Sequence, residues 1–168
     1  MKMRYMILLS LCSSLCEAQS IPAFHGRSFA GDEVTFPHDL DRRIGILIVG
    51  FSKKSGENAK IWGAAIAHQF ETDSQVVYYE MPVLEGVPSL IRGLVLRSMR
   101  HGMSAAEQSH FAPVLQDEDK WKEAVHFNSP DDAYVLVLNR VGVVKWRTQG
   151  AMTASSRDSL ASAVGALR

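Results

Sequence analysis

The run Ile44-Gly45-Ile46-Leu47-Ile48-Val49-Gly50-Phe51 constrains the fold more than any other stretch of the chain. A continuous apolar segment rich in β-branched residues suits a strand buried on both faces, as in the middle of a parallel or mixed sheet. Such a strand needs cover on two sides. The neighbouring segments must therefore supply helices or further strands for both.

The flanking patterns do so in alternation. Ser28 to Phe36 has alternating apolar positions around Ala30-Gly31-Asp32, a hairpin signal. From Ser55 the period changes: Ile61, Ala64, Ala65 and His68 fall at helical spacing, with Lys60 and Gln69 off that face. Gln75 to Met81 is strand-like. Val87, Leu90, Ile91, Leu94 and Val95 form the stripe of a second amphipathic helix, expected to meet the sheet, with Pro88 in its first turn. Phe111 to Gln116 reads as a weaker strand, and Asp117 opens a short helix through Trp121 and Val125. Ala133 to Asn139 and Val143 to Arg147 are two strands around Arg140-Val141-Gly142. Leu160, Ala163, Val164 and Leu167 mark a closing helix. Repeats, low-complexity tracts and linkers are absent from the sequence, so residues 21–168 read as one α/β domain.

This succession resembles the thioredoxin-like superfamily over nearly the whole chain after residue 18. The most specific stretch is Tyr134-Val135-Leu136-Val137-Leu138-Asn139-Arg140-Val141-Gly142-Val143-Val144. It looks like the strand, amide residue, glycine turn and next strand that precede the last helix of secreted members. Continued through Lys145-Trp146-Arg147 to Gly150, it is similar to the mitochondrial ATP synthase assembly-factor family. Gly50-Phe51-Ser52, then Ser55-Gly56 and Trp62, is compatible with bacterial relatives of that family. The resemblance implies a thioredoxin-like three-layer sandwich with a central mixed β-sheet, here preceded by the N-terminal hairpin.

Redox members of the superfamily carry Cys-x-x-Cys where the first long helix begins, since a helix N-terminus lowers a thiol pKa. The resemblance places that loop at Ser52, Lys53, Lys54, Ser55, Gly56, Glu57 and Asn58, none of them a cysteine. It places the family's cis-proline near Ala133, where the nearest proline, Pro130, is three positions early. Thiol exchange and peroxidase chemistry both need a thiolate, and the only cysteines are Cys12 and Cys16. No thiol oxidoreductase or peroxidase activity is expected. The rival reading is a hydrolase-type enzyme using Ser55 with a histidine brought close by folding, His68 or His110. The preferred reading has Ser55 capping the helix and Glu57 favouring its first turn. Lys53 and Lys54 beside a helix start suit an anion, although solvation alone is the plainer account.

His25, His38, His68, His101, His110 and His126 show no paired ligand spacing, and a soft-metal site would need cysteines. No metal or other cofactor is expected. On the second helix, Arg92, Arg100 and His101 fall largely outside the apolar stripe, near Met99 and Met103, and Arg92, Met99, Arg100 and His101 make a candidate protein-partner surface. An ordinary solvated helix face is the simpler alternative.

Residues 1–18 have the zones of a secretory signal. Lys2 and Arg4 precede the apolar Tyr5 to Cys12, and small residues lead to Cys16-Glu17-Ala18 before Gln19. The apolar run is far below the roughly 20 residues needed to span a bilayer, so no stable transmembrane anchor is expected. Acylation at Cys12 or Cys16 is the alternative, disfavoured because Leu11 and Leu15 are bulky. Cleavage removes Lys2, Arg4 and Glu17, leaving 16 basic and 17 acidic residues, a net charge of −1. A near-neutral domain has no general pull towards nucleic acid. The sequence therefore predicts a secreted or periplasmic, non-redox binding or assembly module over residues 19–168, with a protein partner in a membrane complex.

Overall fold

The computed structural model describes residues 20–168; the expected signal, Cys12 and Cys16 lie outside the described residues. Strand β1 (Phe24–Arg27) pairs antiparallel with β2 (Glu33–Phe36). Gly31 turns the chain between them at φ 100°, a conformation in which a side chain would be strained. The first strand starts earlier than the alternation suggests. Ser28 and Phe29 belong to the loop, where the Phe29 N–H donates to the Phe111 carbonyl at 2.9 Å.

Strand β3 (Ile44–Gly50) is buried along its whole length, as a central strand must be. It runs parallel to β4 (Val76–Pro82) and antiparallel to β5 (Tyr134–Leu138), which pairs antiparallel with β6 (Val144–Gln149). The sheet order is β4-β3-β5-β6. Gly142 at φ 84° makes the β5–β6 turn, and Asn139 Oδ1 accepts from Val141 N and Val143 N at 3.2 and 2.9 Å. The predicted strand at Phe111–Gln116 reduces to isolated parallel bridges, Glu80 with Phe111 and Val83 with Val114. Pro113 lies between those bridges and has no N–H to give to a ladder.

Because alternate strand residues point to opposite faces, β3 divides the core. Leu47 and Val49 join Val77, Met81 and Leu136 beneath the hairpin and helix α4 (Glu118–Val125), where Trp121 is buried. Ile44, Ile46 and Ile48 join Val76, Val135 and Val137 beneath α1 (Lys53–Phe70) and α5 (Ala154–Gly165). Trp62 in that layer is fully buried, with its Nε1 donating to the Gly150 carbonyl at 3.1 Å. The result is the expected three-layer α/β sandwich with a mixed sheet.

Helix α2 (Ser89–His101) departs from expectation. None of its residues is fully buried, and Leu90, Leu94 and Ile91 are 96%, 70% and 50% exposed. Segment 110–114 pairs with the edge of β4, where Glu80 N donates to the His110 carbonyl and Ala112 N to that of Glu80, while α2 stands off the sheet across open space. Beyond α2 lies a short helix, α3 (Ala105–Ser109), closed by a reciprocal capping box between Ser104 and Glu107.

Candidate functional site

Helix α1 begins at Lys53, two residues before Ser55. Ser52 is the N-cap, in extended conformation at φ −145° and ψ 170°, and its Oγ accepts from Ser55 N at 3.1 Å. Ser55 is the third helical residue and is fully buried. Its Oγ accepts from Phe51 N and Ser52 N, each at 2.9 Å, and donates to the Ser52 carbonyl at 2.9 Å. This is a capping box in which serine replaces the usual acidic or amide partner. Ser55 therefore does not cap the helix from outside, and Glu57 lies beyond the first turn, which contains no acidic residue.

The shifted start makes the loop Ser52-Lys53-Lys54-Ser55: two hydroxyls at the spacing of a Cys-x-x-Cys pair, at a helix start. Gly50 belongs to the same arrangement, since a β-carbon there would come within 2.9 Å of Ser55 Oγ. The buried hydroxyl makes three bonds, all to main chain. An attacking serine instead needs a base within hydrogen-bond reach, and neither candidate histidine bonds Ser55. His68 is exposed in the last turn of α1, while His110 places Nδ1 3.0 Å from the Tyr78 carbonyl and stacks on the Tyr78 ring at 3.9 Å.

Two lysines in the first turn oppose the positive end of the helix dipole, and Asp131 in the loop before β5 offsets them. Its carboxylate accepts from Ser52 Oγ at 3.1 Å and Lys54 Nζ at 3.4 Å, and its carbonyl accepts from Asn58 Nδ2 at 3.3 Å. An internal carboxylate thus occupies the place an external anion would take at Lys54. Lys53 points instead towards the groove described next. Ala133, at the position the resemblance assigns to the cis-proline, is buried, and its carbonyl accepts from Gly150 N at 2.8 Å. The cis peptide found among the described residues is Phe36–Pro37.

Beside the same helix start the molecule opens, with Gly50, Phe51 and Ser52 at the edge of the opening. A groove of about 770 Å³ runs between the first half of α1 and α2, floored by β4. Its walls include Gly56 and Lys60 on α1 and Leu94, Val95, Met99 and Met103 on or just after α2; Glu80 lies in its floor. The Glu80 carboxyl fits a notch left by Gly63, where a β-carbon would sit 1.8 Å from Oε1. Burial pushes this carboxyl up to about 7; Glu107 adds to the rise and Lys60 opposes it. Glu80 belongs to none of the motifs in the sequence. Its signal was an acidic residue in an otherwise apolar strand, opposite a glycine in a helix interior.

The candidate partner residues of α2 separate. Met99 lines the groove and His101 is exposed in the last turn. Arg92 is turned inward, donating from Nε and Nη2 to the Val87 carbonyl at 3.2 and 2.9 Å and from Nη2 to that of Glu85 at 2.9 Å. Arg100 lies over the Phe29 ring at 5.0 Å, tying α2 to the hairpin loop. Among the described residues, no three of His, Cys, Asp and Glu are placed to hold a metal ion, and no helix is long and apolar enough to cross a membrane.

No family profile and no curated protein matches the chain. Solved structures do. The exposed lipoprotein thioredoxin Etrx1 of Streptococcus pneumoniae matches with a TM-score of 0.60 at 13% identity, covering 87% of this chain and all of its own. The thioredoxin domain of a Bacteroides vulgatus thiol-disulfide oxidoreductase gives 0.59 at 10%, covering 90% and 99%. BsSco, a member of the Sco family of cytochrome c oxidase assembly proteins, gives 0.60 at 10%, covering 90% and 94%. The fold is thioredoxin-like. At these identities the similarity establishes the architecture of this chain and leaves its chemistry to its own residues.

Proposed function

We propose that this protein is an exported, non-redox thioredoxin-like module that binds a protein partner during assembly of a membrane complex. The observation that carries the reading is the start of α1. Ser52 and Ser55 stand at dithiol spacing, yet both hydroxyls are engaged in closing the helix turn, one of them beneath the surface. Neither hydroxyl has the redox chemistry of a thiol, and neither bonds a histidine; Ser55 bonds main chain alone, and Ser52 donates to the Asp131 carboxylate that also holds Lys54.

Residues 1–18 support export through their basic start, short apolar run and small-residue end. The assembly role draws support from the likeness of residues 134–150 to the ATP synthase assembly factors. It also accords with a structural neighbour, BsSco, from a family of cytochrome c oxidase assembly proteins. The purified protein, with Cys12 and Cys16 replaced by serine, is expected neither to reduce insulin nor to consume peroxide. Turnover in either assay overturns the non-redox reading. Co-purification from native membranes with subunits of one oligomeric complex is the expected result for the assembly role, and recovery of the protein alone after crosslinking counts against it.

A further inference from the structure

Glu80 is a half-buried carboxyl that the α1 turn does not use. Its side chain makes no hydrogen bond or ion pair with any described residue, although it forms part of the floor of a large, mostly apolar groove. Among the described residues no fully buried side-chain oxygen lacks a partner, so the Glu80 oxygens still reach water, yet a carboxylate so far withdrawn from it gains from a cationic partner. The charged and titratable groups around it are Lys53, Glu57 and Lys60 from α1, Tyr78 from β4 itself, Glu107 from α3 and the neighbouring His110. Lys60 is the cation that acts on it, and it does so only through space, while Glu107 repels it. Gly63 leaves the room that the carboxyl takes, and a β-carbon there would require the Glu80 side chain to move aside.

The apolar surface extends beyond the groove. Leu94 belongs to the wall, and Leu90 and Ile91 continue the patch onto the open side of α2. A small molecule held against Glu80 would leave that outer patch uncovered, whereas a length of polypeptide would cover both. Helix-walled apolar grooves take peptides through a few apolar anchors, and charge complementarity fixes their register. We propose that the groove between α1 and α2 receives an apolar segment of a partner polypeptide, with one lysine or arginine of that segment paired to Glu80. This names the recognition chemistry of the binding module proposed above and rests on that reading. The absence of redox turnover would survive its failure.

The test is selection of a random dodecapeptide phage library on the purified protein at pH 7.5, and in parallel on Glu80→Gln, an isosteric change that keeps the side chain's shape. Enriched peptides are expected to share several apolar residues around a single lysine or arginine, and the basic position should vanish on Glu80→Gln. For the best peptide, replacing its basic residue by norleucine should weaken binding at least tenfold to the parent protein and under twofold to Glu80→Gln. Because a cation favours the ionised carboxyl, which titrates near pH 7 in the free protein, affinity should fall roughly 20-fold from pH 7.5 to 5.5. Glu80→Gln should lose that dependence. Leu94→Asp should weaken all selected peptides without changing the protein's circular dichroism. Failure to enrich any peptide, enrichment without a basic position, or equal binding to both proteins overturns the proposal.

Discussion

The two sides of the first half of α1 treat their polar groups in opposite ways. Towards β5, every strong donor and acceptor at the helix start is satisfied: Ser52, Ser55, Lys54, Asn58 and Asp131 close on one another or on main chain. Towards α2, Glu80 stands unpaired beside apolar surface, and leucines that would normally be buried face solvent. Completed polar networks hold a structure in one state. Incomplete ones, next to exposed apolar patches, mark surfaces that something else completes. The closed network and the unmet interactions meet at the start of α1, since Gly50, Phe51, Ser52 and Lys53 also line the groove.

The largest effect should come from restoring sulfur to the closed side. Ser52→Cys with Ser55→Cys, in a Cys12→Ser/Cys16→Ser background, is expected to convert a protein without dithiol activity into one that forms a reversible disulfide and reduces insulin. The Asp131 carboxylate next to residue 52 disfavours a thiolate, so adding Asp131→Asn should raise the rate further. Failure of the pair to oxidise, by thiol titration, would break the assignment of Ser52 and Ser55 to the dithiol positions.

Next in size, Ser55→Ala should cost roughly 3 kcal/mol in urea denaturation, because Phe51 N and Ser52 N lose their shared acceptor in a buried turn. Glu80→Gln should act in the opposite direction. The folded carboxyl titrates near 7 against an ordinary value of 4.5. Its stabilising contribution is therefore complete below pH 4.5 and is lost as pH rises through 7. Replacing it should stabilise the protein by about 2 kcal/mol at pH 8, after discounting for its partial contact with water, and by close to nothing at pH 4.5. The smallest change is expected from Asp131→Ala, about 1 kcal/mol, since its contacts are partly exposed. A loss several times larger would mean that the closed side governs the whole fold.

How much of this was legible beforehand follows from what each signal measures. Periodicity reports burial, so the fully buried β3 and the alternation of its neighbours were readable, as was the Asn139–Gly142 turn. The same logic misplaced α2, because an apolar stripe says that a surface seeks cover without saying whether this chain provides it. Helix α3 was missed although Ser104-Ala105-Ala106-Glu107 spells a capping box. Helix α1 is capped at Ser52, three residues before the cap expected at Ser55. Either serine suits a cap by composition, and only the reciprocal bonds between Ser52 and Ser55 distinguish cap from third helical residue. The importance of Glu80 arises from its meeting with Gly63, residues on different elements that no local pattern connects.

The most direct measurement of the comparison is site-specific photocrosslinking in cells that make the protein, with p-benzoylphenylalanine at Leu94 on the open side and, separately, at Lys54 on the closed side. A partner polypeptide crosslinked from position 94, lost on adding Glu80→Gln, and no such product from position 54, is the predicted outcome. Crosslinking from position 54 with none from position 94 would place partner binding at the Asp131 side of the helix start and contradict the account.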